Sequence, residues 1–194
     1  GSNSMSLILN IDTALDTASI SLALDGKIIA ASSNEKQKDH AAWLHPAVNT
    51  LFQQTDILIQ QLDAVAVSNG PGSYTGLRVG LSAAKGFCFA LNIPLISVGT
   101  LEILADAVHD KATEWICPMI DARRMEVYTA IYDKKMTEIL KAQAMIIDSQ
   151  SFSEFLESHT ILFCGNGSIK LRNIIQNSHA VFIDDCASSF SLAR

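Results

Sequence analysis

VSNGPGSYTGLRVG, residues 67–80, carries the chain from an apolar run through Gly70, Pro71 and Gly72 into a helical pattern. A strand, a glycine turn and a helix N-terminus make a common anion-binding arrangement, because free backbone N–H groups and the helix dipole both face the loop. Spacing rules out the two familiar phosphate loops. A Walker loop requires Gly-x4-Gly-Lys-Ser/Thr, whereas five residues separate Gly70 from Gly76 and Leu77 follows. Read as a dinucleotide fingerprint, Gly70-x-Gly72-x-x-x-Gly76 is one residue too long, and no carboxylate stands about 20 residues on to hold a ribose.

The helix that follows, residues 73–90, carries Leu77, Leu81, Ala84, Cys88 and Leu91 as one apolar stripe, which is expected to face a sheet. A second line, Gly72, Gly76, Gly80 and Ala83, leaves a strip without side chains. Mid-helix glycine costs about 1 kcal/mol relative to alanine, so two of them one turn apart require a close neighbour. Packing inside the chain and the approach of another molecule's helix both satisfy that requirement.

Working outward, LILNID, ASISLAL and KIIAAS read as three antiparallel strands, the last two joined by an Asp25-Gly26 turn. A helix over residues 40–52, a strand in DAVAVSN, the glycine loop and its helix, a strand in IPLISV and a helix opened by Thr100 complete the first half. WICPMID, MEVYTAIYD, KAQAMIID, SFSEFLES, TILFCGNG, residues 168–175 and AVFID repeat that order in the second half. A duplicated α/β unit hinged near Lys111 follows, the plan of the actin, hexokinase and Hsp70 superfamily.

Charge and chemistry narrow the function. The 194 residues carry 14 basic and 20 acidic side chains, a net charge of -6, which argues against autonomous binding of a phosphate backbone. Cys88, Cys117, Cys164 and Cys186 form no C-x-x-C pair and read as free thiols. GSNSM resembles an expression remnant, no signal peptide follows, and Lys85 interrupts the longest apolar run, so a cytoplasmic protein without a membrane span is expected. Asp12-Thr13-Ala14-Leu15-Asp16-Thr17, the turn that would carry a nucleotide phosphate in this superfamily, has no glycine and two carboxylates; Asp12 and Thr13 equally suit a capped strand end. His40 and His45 are five apart and diverge by about 140° on a helix, which suits capping or solvent-facing roles better than a metal. Ser73 suits a helix cap, Thr75 and Cys88 lack a nucleophile elbow, and Asp121, Arg123, Arg124 and Glu126 suit either a charged ligand or a tight turn with paired charges.

Three stretches, NGPGSYTGLRVGLSAAKGFCFALNIPLISVGTLEILA, IDTALDTASISLAL and MIDARRMEVYTAIY, together resemble the bacterial TsaB (YeaZ) family. The resemblance implies duplicated actin-like (ASKHA, ribonuclease H-like) domains, each a mixed five-stranded sheet with helices, over residues 6–110 and 111–194. It implies a non-catalytic subunit that pairs with its paralogue TsaD in forming N6-threonylcarbamoyladenosine at position 37 of tRNAs reading ANN codons. A TsaE-like ATPase joins, ATP or ADP and metal belong to the partner subunits, and tRNA is met only through the complex. For the chain alone, a homodimer and a monomer are both open. The family's pairing helices correspond to residues 40–52 and 73–90, which assigns Trp43, Ala47, Gly72, Ser73, Tyr74, Thr75, Gly76, Arg78, Gly80 and Ala83 to the partner interface. Members of the family run further, into helices that pack back on the first domain; here the sequence stops at SFSLAR, so those helices are expected to be missing. The alternative class is an enzyme, either a glycoprotease-type metallopeptidase or an actin-fold ATPase or kinase.

Overall fold

Apolar runs flanked by Asp and Gly turns build the first sheet of the computed structural model, which describes residues 5–183. Strand β1 (Leu7–Asp12) lies between β2 (Ala18–Leu24), antiparallel, and β4 (Ala64–Ser68), parallel. The order is β3-β2-β1-β4-β5, with β3 (Lys27–Asn34) and β5 (Leu95–Val98) at the edges. Every β4 residue is buried, as a central parallel strand covered on both faces requires.

Leu9, Ile11, Ile20, Leu22, Val65 and Val67 form one core with Leu44, Val48 and Leu51 of α1 (His40–Thr55) and Ala84 of α2 (Tyr74–Leu91). Leu81, Cys88 and Leu91 pack against the same core, so the expected stripe of α2 does face the sheet. The opposite face of β1, β2 and β4 carries Asn10, Asp12, Ser19, Ser21 and Ser68, all buried. Asn10 Nδ2 donates to Ser21 Oγ at 3.0 Å across the strand pair.

The second sheet repeats the first: β6 (Trp115–Asp121) pairs antiparallel with β7 (Glu126–Asp133) and parallel with β9 (Ile161–Cys164). Its order, β10-β9-β6-β7-β8, places β8 (Glu138–Ile146) and β10 (Ala180–Phe182) at the edges. This is the same topology written from the other side, and the expected duplication of mixed five-stranded sheets is present. Packing divides the described residues between Thr100 and Leu101, so α3 (Thr100–Val108) belongs almost wholly to the second unit; the hinge expected near Lys111 lies just beyond that helix. Short helices α4 (Ser153–Leu156) and α5 (Ser168–Arg172) accompany the second sheet. Cys88, Cys117 and Cys164 form no disulfide, and Cys186 lies outside the described residues. No helix among the described residues is long and apolar enough to cross a membrane.

Candidate docking face

The glycine loop is fastened to its own domain. Asn69 N donates to Val98 O at 3.0 Å, Thr100 N to Gly70 O at 2.9 Å and Ser73 N to Ala14 O at 2.7 Å. Ser73 caps α2 as expected, its hydroxyl accepting the Gly76 N–H at 3.2 Å. Gly72, Gly76 and Gly80 then lie against the β1–β2 turn: a Cβ on Gly72 would meet Ala14 O, one on Gly76 the carbonyl of Thr13, and one on Gly80 the Thr13 hydroxyl. That hydroxyl donates to Gly76 O at 2.6 Å. The strip therefore serves the chain's own backbone. Gly76 and Gly80 are buried in the monomer and leave the predicted partner interface, because Thr13 already occupies the lane they open; Gly72 is half-buried against Ala14.

Two further positions are corrected: Ala47 of α1 and Ala83 of α2 are buried in the core, while Trp43 is half-buried against it. His40 is buried, against the expectation of a cap or a solvent-facing ring: its Nε2–H donates to Leu15 O at 3.2 Å and its Nδ1 accepts from Asn34 Nδ2 at 3.1 Å. It pins the end of the β1–β2 turn to the helix start. His45 points outward and lies at 5.6 Å from Phe87, ring to ring. Pro46 lies inside the helix, where it faces solvent. Its missing donor leaves the carbonyl one turn back to water.

Between the two helices runs an open groove of ≈ 530 Å³ lined by Ala41, Leu44, His45, Val79, Ser82, Ala83, Gly86 and Phe87. It continues past His45 and Phe87 into a second hollow of ≈ 560 Å³ under Val48, Phe52 and Leu58. Nothing lies within 4 Å of where a Gly86 Cβ would stand. Ser82 and Gly86, one turn apart and both exposed, thus form the open small-residue lane that the sequence had suggested two turns earlier. Phe89 is 91% exposed and Tyr74 73%, and Arg78 Nη1 donates to Tyr74 Oη at 3.1 Å. Thr75 is exposed beside them. Helix α2 carries Arg78 and Lys85 and no acid, neither residue lining the groove, while Asp56 lines the second hollow.

The remaining candidates show little chemistry. Asp12 Oδ1 accepts the Ala14 N–H at 3.1 Å, the capped strand end that its sequence suggested. Burial pushes its carboxyl pKa up, while that N–H and nearby His40 pull it down. Cys88 donates its thiol to Pro94 O at 3.4 Å, and desolvation raises its pKa, the reverse of an activated nucleophile. Among the described residues no three His, Cys, Asp or Glu side chains gather as metal ligands.

Residues 27–191 match the family described as TsaD, tRNA N6-adenosine threonylcarbamoyltransferase. Over 128 residues the chain is 40% identical to the tRNA threonylcarbamoyladenosine biosynthesis protein TsaB of Bacillus subtilis strain 168, an overlap covering 66% of this chain and 56% of that protein. The chain belongs to the TsaD family, on its TsaB (YeaZ) branch. The TsaB of Escherichia coli K12 is 34% identical over 129 residues, covering 66% of this chain and 55% of that protein. YeaZ from Pseudomonas aeruginosa superposes with a TM-score of 0.83 at 26% identity, over 97% of this chain and 90% of that one. The matched region spans little more than half the length of these two curated TsaB relatives. The YeaZ structure shares the duplicated α/β plan described above.

Proposed function

We infer that this chain is a non-catalytic subunit in the synthesis of N6-threonylcarbamoyladenosine at position 37 of tRNAs reading ANN codons, and that it works by docking a TsaD-like paralogue on the α1–α2 groove. The observation that carries the reading is the groove itself. Ser82 and Gly86 let a foreign helix come close, Phe89 and Tyr74 offer anchors, and Arg78 and Lys85 favour an acidic rim on the partner. A TsaE-like ATPase would join through the paralogue, nucleotide and metal would reside on those subunits, and a homodimer would use the same groove when no paralogue is present. All of this is set in the cytoplasm.

A non-catalytic role is supported by what fills the crevice at the carboxyl ends of β1 and β4, where open α/β sheets hold their ligands. Thr13 is fully buried there, clasped by Gly76 and Gly80, and the turn presents Asp12 and Asp16 instead of glycine N–H groups. Depleting the protein in its host and measuring the modified nucleoside by mass spectrometry tests the proposal. The nucleoside is expected to fall, to return with the native gene and to stay low with Ser82→Arg. Unchanged nucleoside levels in depleted cells, or ATP or peptide hydrolysis by the purified chain that a point mutation abolishes, would overturn it.

A further inference from the structure

Arg123 and Arg124 stand next to each other at the tip of the β6–β7 hairpin with φ of 78° and 47°, both in the left-handed region. Glycine or asparagine would adopt these angles with least strain, so two consecutive arginines there call for a use of their side chains. Both are exposed, and among the described residues neither guanidinium has an ion pair or hydrogen bond. The tip is otherwise well fixed. Ala122 N donates to Glu126 O at 3.1 Å, Glu126 N to Arg123 O at 3.0 Å, Arg123 N to Asp121 Oδ1 at 3.0 Å, and Ile147 N to Met125 O at 2.8 Å.

The neighbouring acids are engaged elsewhere. Asp121 forms an ion pair with Lys170, which holds its carboxyl below the usual range, and Lys170 also donates to Glu126 O at 3.1 Å. Asp148 turns into its own loop, accepting from Gln150 N and Ser151 Oγ. Glu126 is the remaining acid at the base of the hairpin. The turn forms as expected, but its charges do not pair with one another: Asp121 pairs with Lys170, and among the described residues the arginines have no acid partner. The backbone N–H groups of Arg124 and Met125 likewise find no acceptor among the described residues. Two forked cations and two free amides on a braced turn make a receptor for anionic oxygens.

We propose that this tip is where the subunit grips the phosphodiester backbone of the RNA bound by its complex. The proposal rests on the docking function given above and adds to it a point of RNA contact on this subunit's second unit. Phosphate contacts of this kind position an RNA without reading its sequence. A chain of net charge -6 would hold RNA weakly by itself, yet two such contacts supplement those of a partner.

The test uses the chain assembled with its TsaD-like paralogue and unmodified tRNA, comparing the native protein with the double variant Arg123→Gly, Arg124→Gly. Glycine fits both φ values, so the variant keeps or gains thermal stability and captures the paralogue as before. Its tRNA affinity falls alike for several tRNAs, and the slope of log affinity against log salt shrinks by about 2, roughly 1 for each lost contact. Arg123→Lys, Arg124→Lys retains most of that slope. An unchanged slope with paralogue capture intact overturns the proposal. Loss of paralogue capture in the glycine variant overturns it too, by making the tip a protein contact. Failure of the native chain to capture the paralogue instead removes the docking function beneath it.

Discussion

Thr13 joins the glycine loop to the sheet. Its hydroxyl donates to Gly76 O, and its carbonyl fills the space a Gly76 Cβ would need. Gly76→Ala should therefore lose more to the clash with fixed backbone, about 1–3 kcal/mol, than the roughly 1 kcal/mol it gains in helix propensity. A melting temperature lowered by several degrees is expected; an unchanged or higher value would show that the turn yields. Asp12 allows a second prediction at this scale. Its folded pKa is raised by burial, so its contribution is most favourable below the unfolded value of 3.8 and is lost as pH rises through the folded pKa. Asp12→Asn keeps an acceptor for Ala14 N–H and removes the buried charge. Its stability relative to the native protein should increase from pH 4 to pH 7 in denaturant titrations, and a difference that is flat or falls over that range would contradict the assignment. Neither effect was visible in the sequence, where spacing showed that Gly76 and Gly80 must meet something but not what. A glycine strip looks the same whether a chain's own turn or a partner's helix fills it.

At the scale of elements, periodicity was a good guide. Alternating and continuous apolar runs located β1, β2 and β6 at their observed ends, and the 4-3-4-3 stripe placed the sheet-facing side of α2. The outward sides were legible only in part. Tyr74, Thr75 and Arg78 are exposed as assigned, whereas Ala47 and Ala83 are core. Phe89 is not legible in the sequence, because an aromatic in a helical pattern reads as core and its 91% exposure is a property of the neighbours; Phe87 does pack against the core and is half-buried. His40 was misplaced for a related reason: its partners, Leu15 O and Asn34, come from the turn and strand that precede it. His40→Ala would leave the Leu15 carbonyl without its partner and should cost about 1–3 kcal/mol. Gly86 supplies the contrasting case. With open space around it, Gly86→Ala should stabilise α2 by roughly 0.5–1 kcal/mol, and a loss on melting would mean that its surroundings are not open.

The whole molecule repeats one clamp as well as one topology. In the second unit the loop after β9 presses on the end of β6 as the loop after β4 presses on the end of β1. Gly167 N donates to Met119 O at 3.0 Å, and a Cβ on Gly165, whose φ is 89°, would meet that same carbonyl. The sequence disclosed the duplicated order of elements but not this shared contact, since GNGS and NGPGSYTG have little in common beyond their place after a strand. Each clamp is filled by its own chain, whereas the α1–α2 groove stands open, and it is there that the partner is proposed to dock. Gly86→Arg tests that claim most directly, through thermal melting of the variant and its capture of the TsaD-like paralogue in one set of experiments. The variant is expected to melt within a few degrees of the native protein and to bind the paralogue at least thirtyfold more weakly, the loss of about 2 kcal/mol expected when a close-packed interface centre is broken. A folded variant that captures the paralogue as well as the native chain would contradict the docking account.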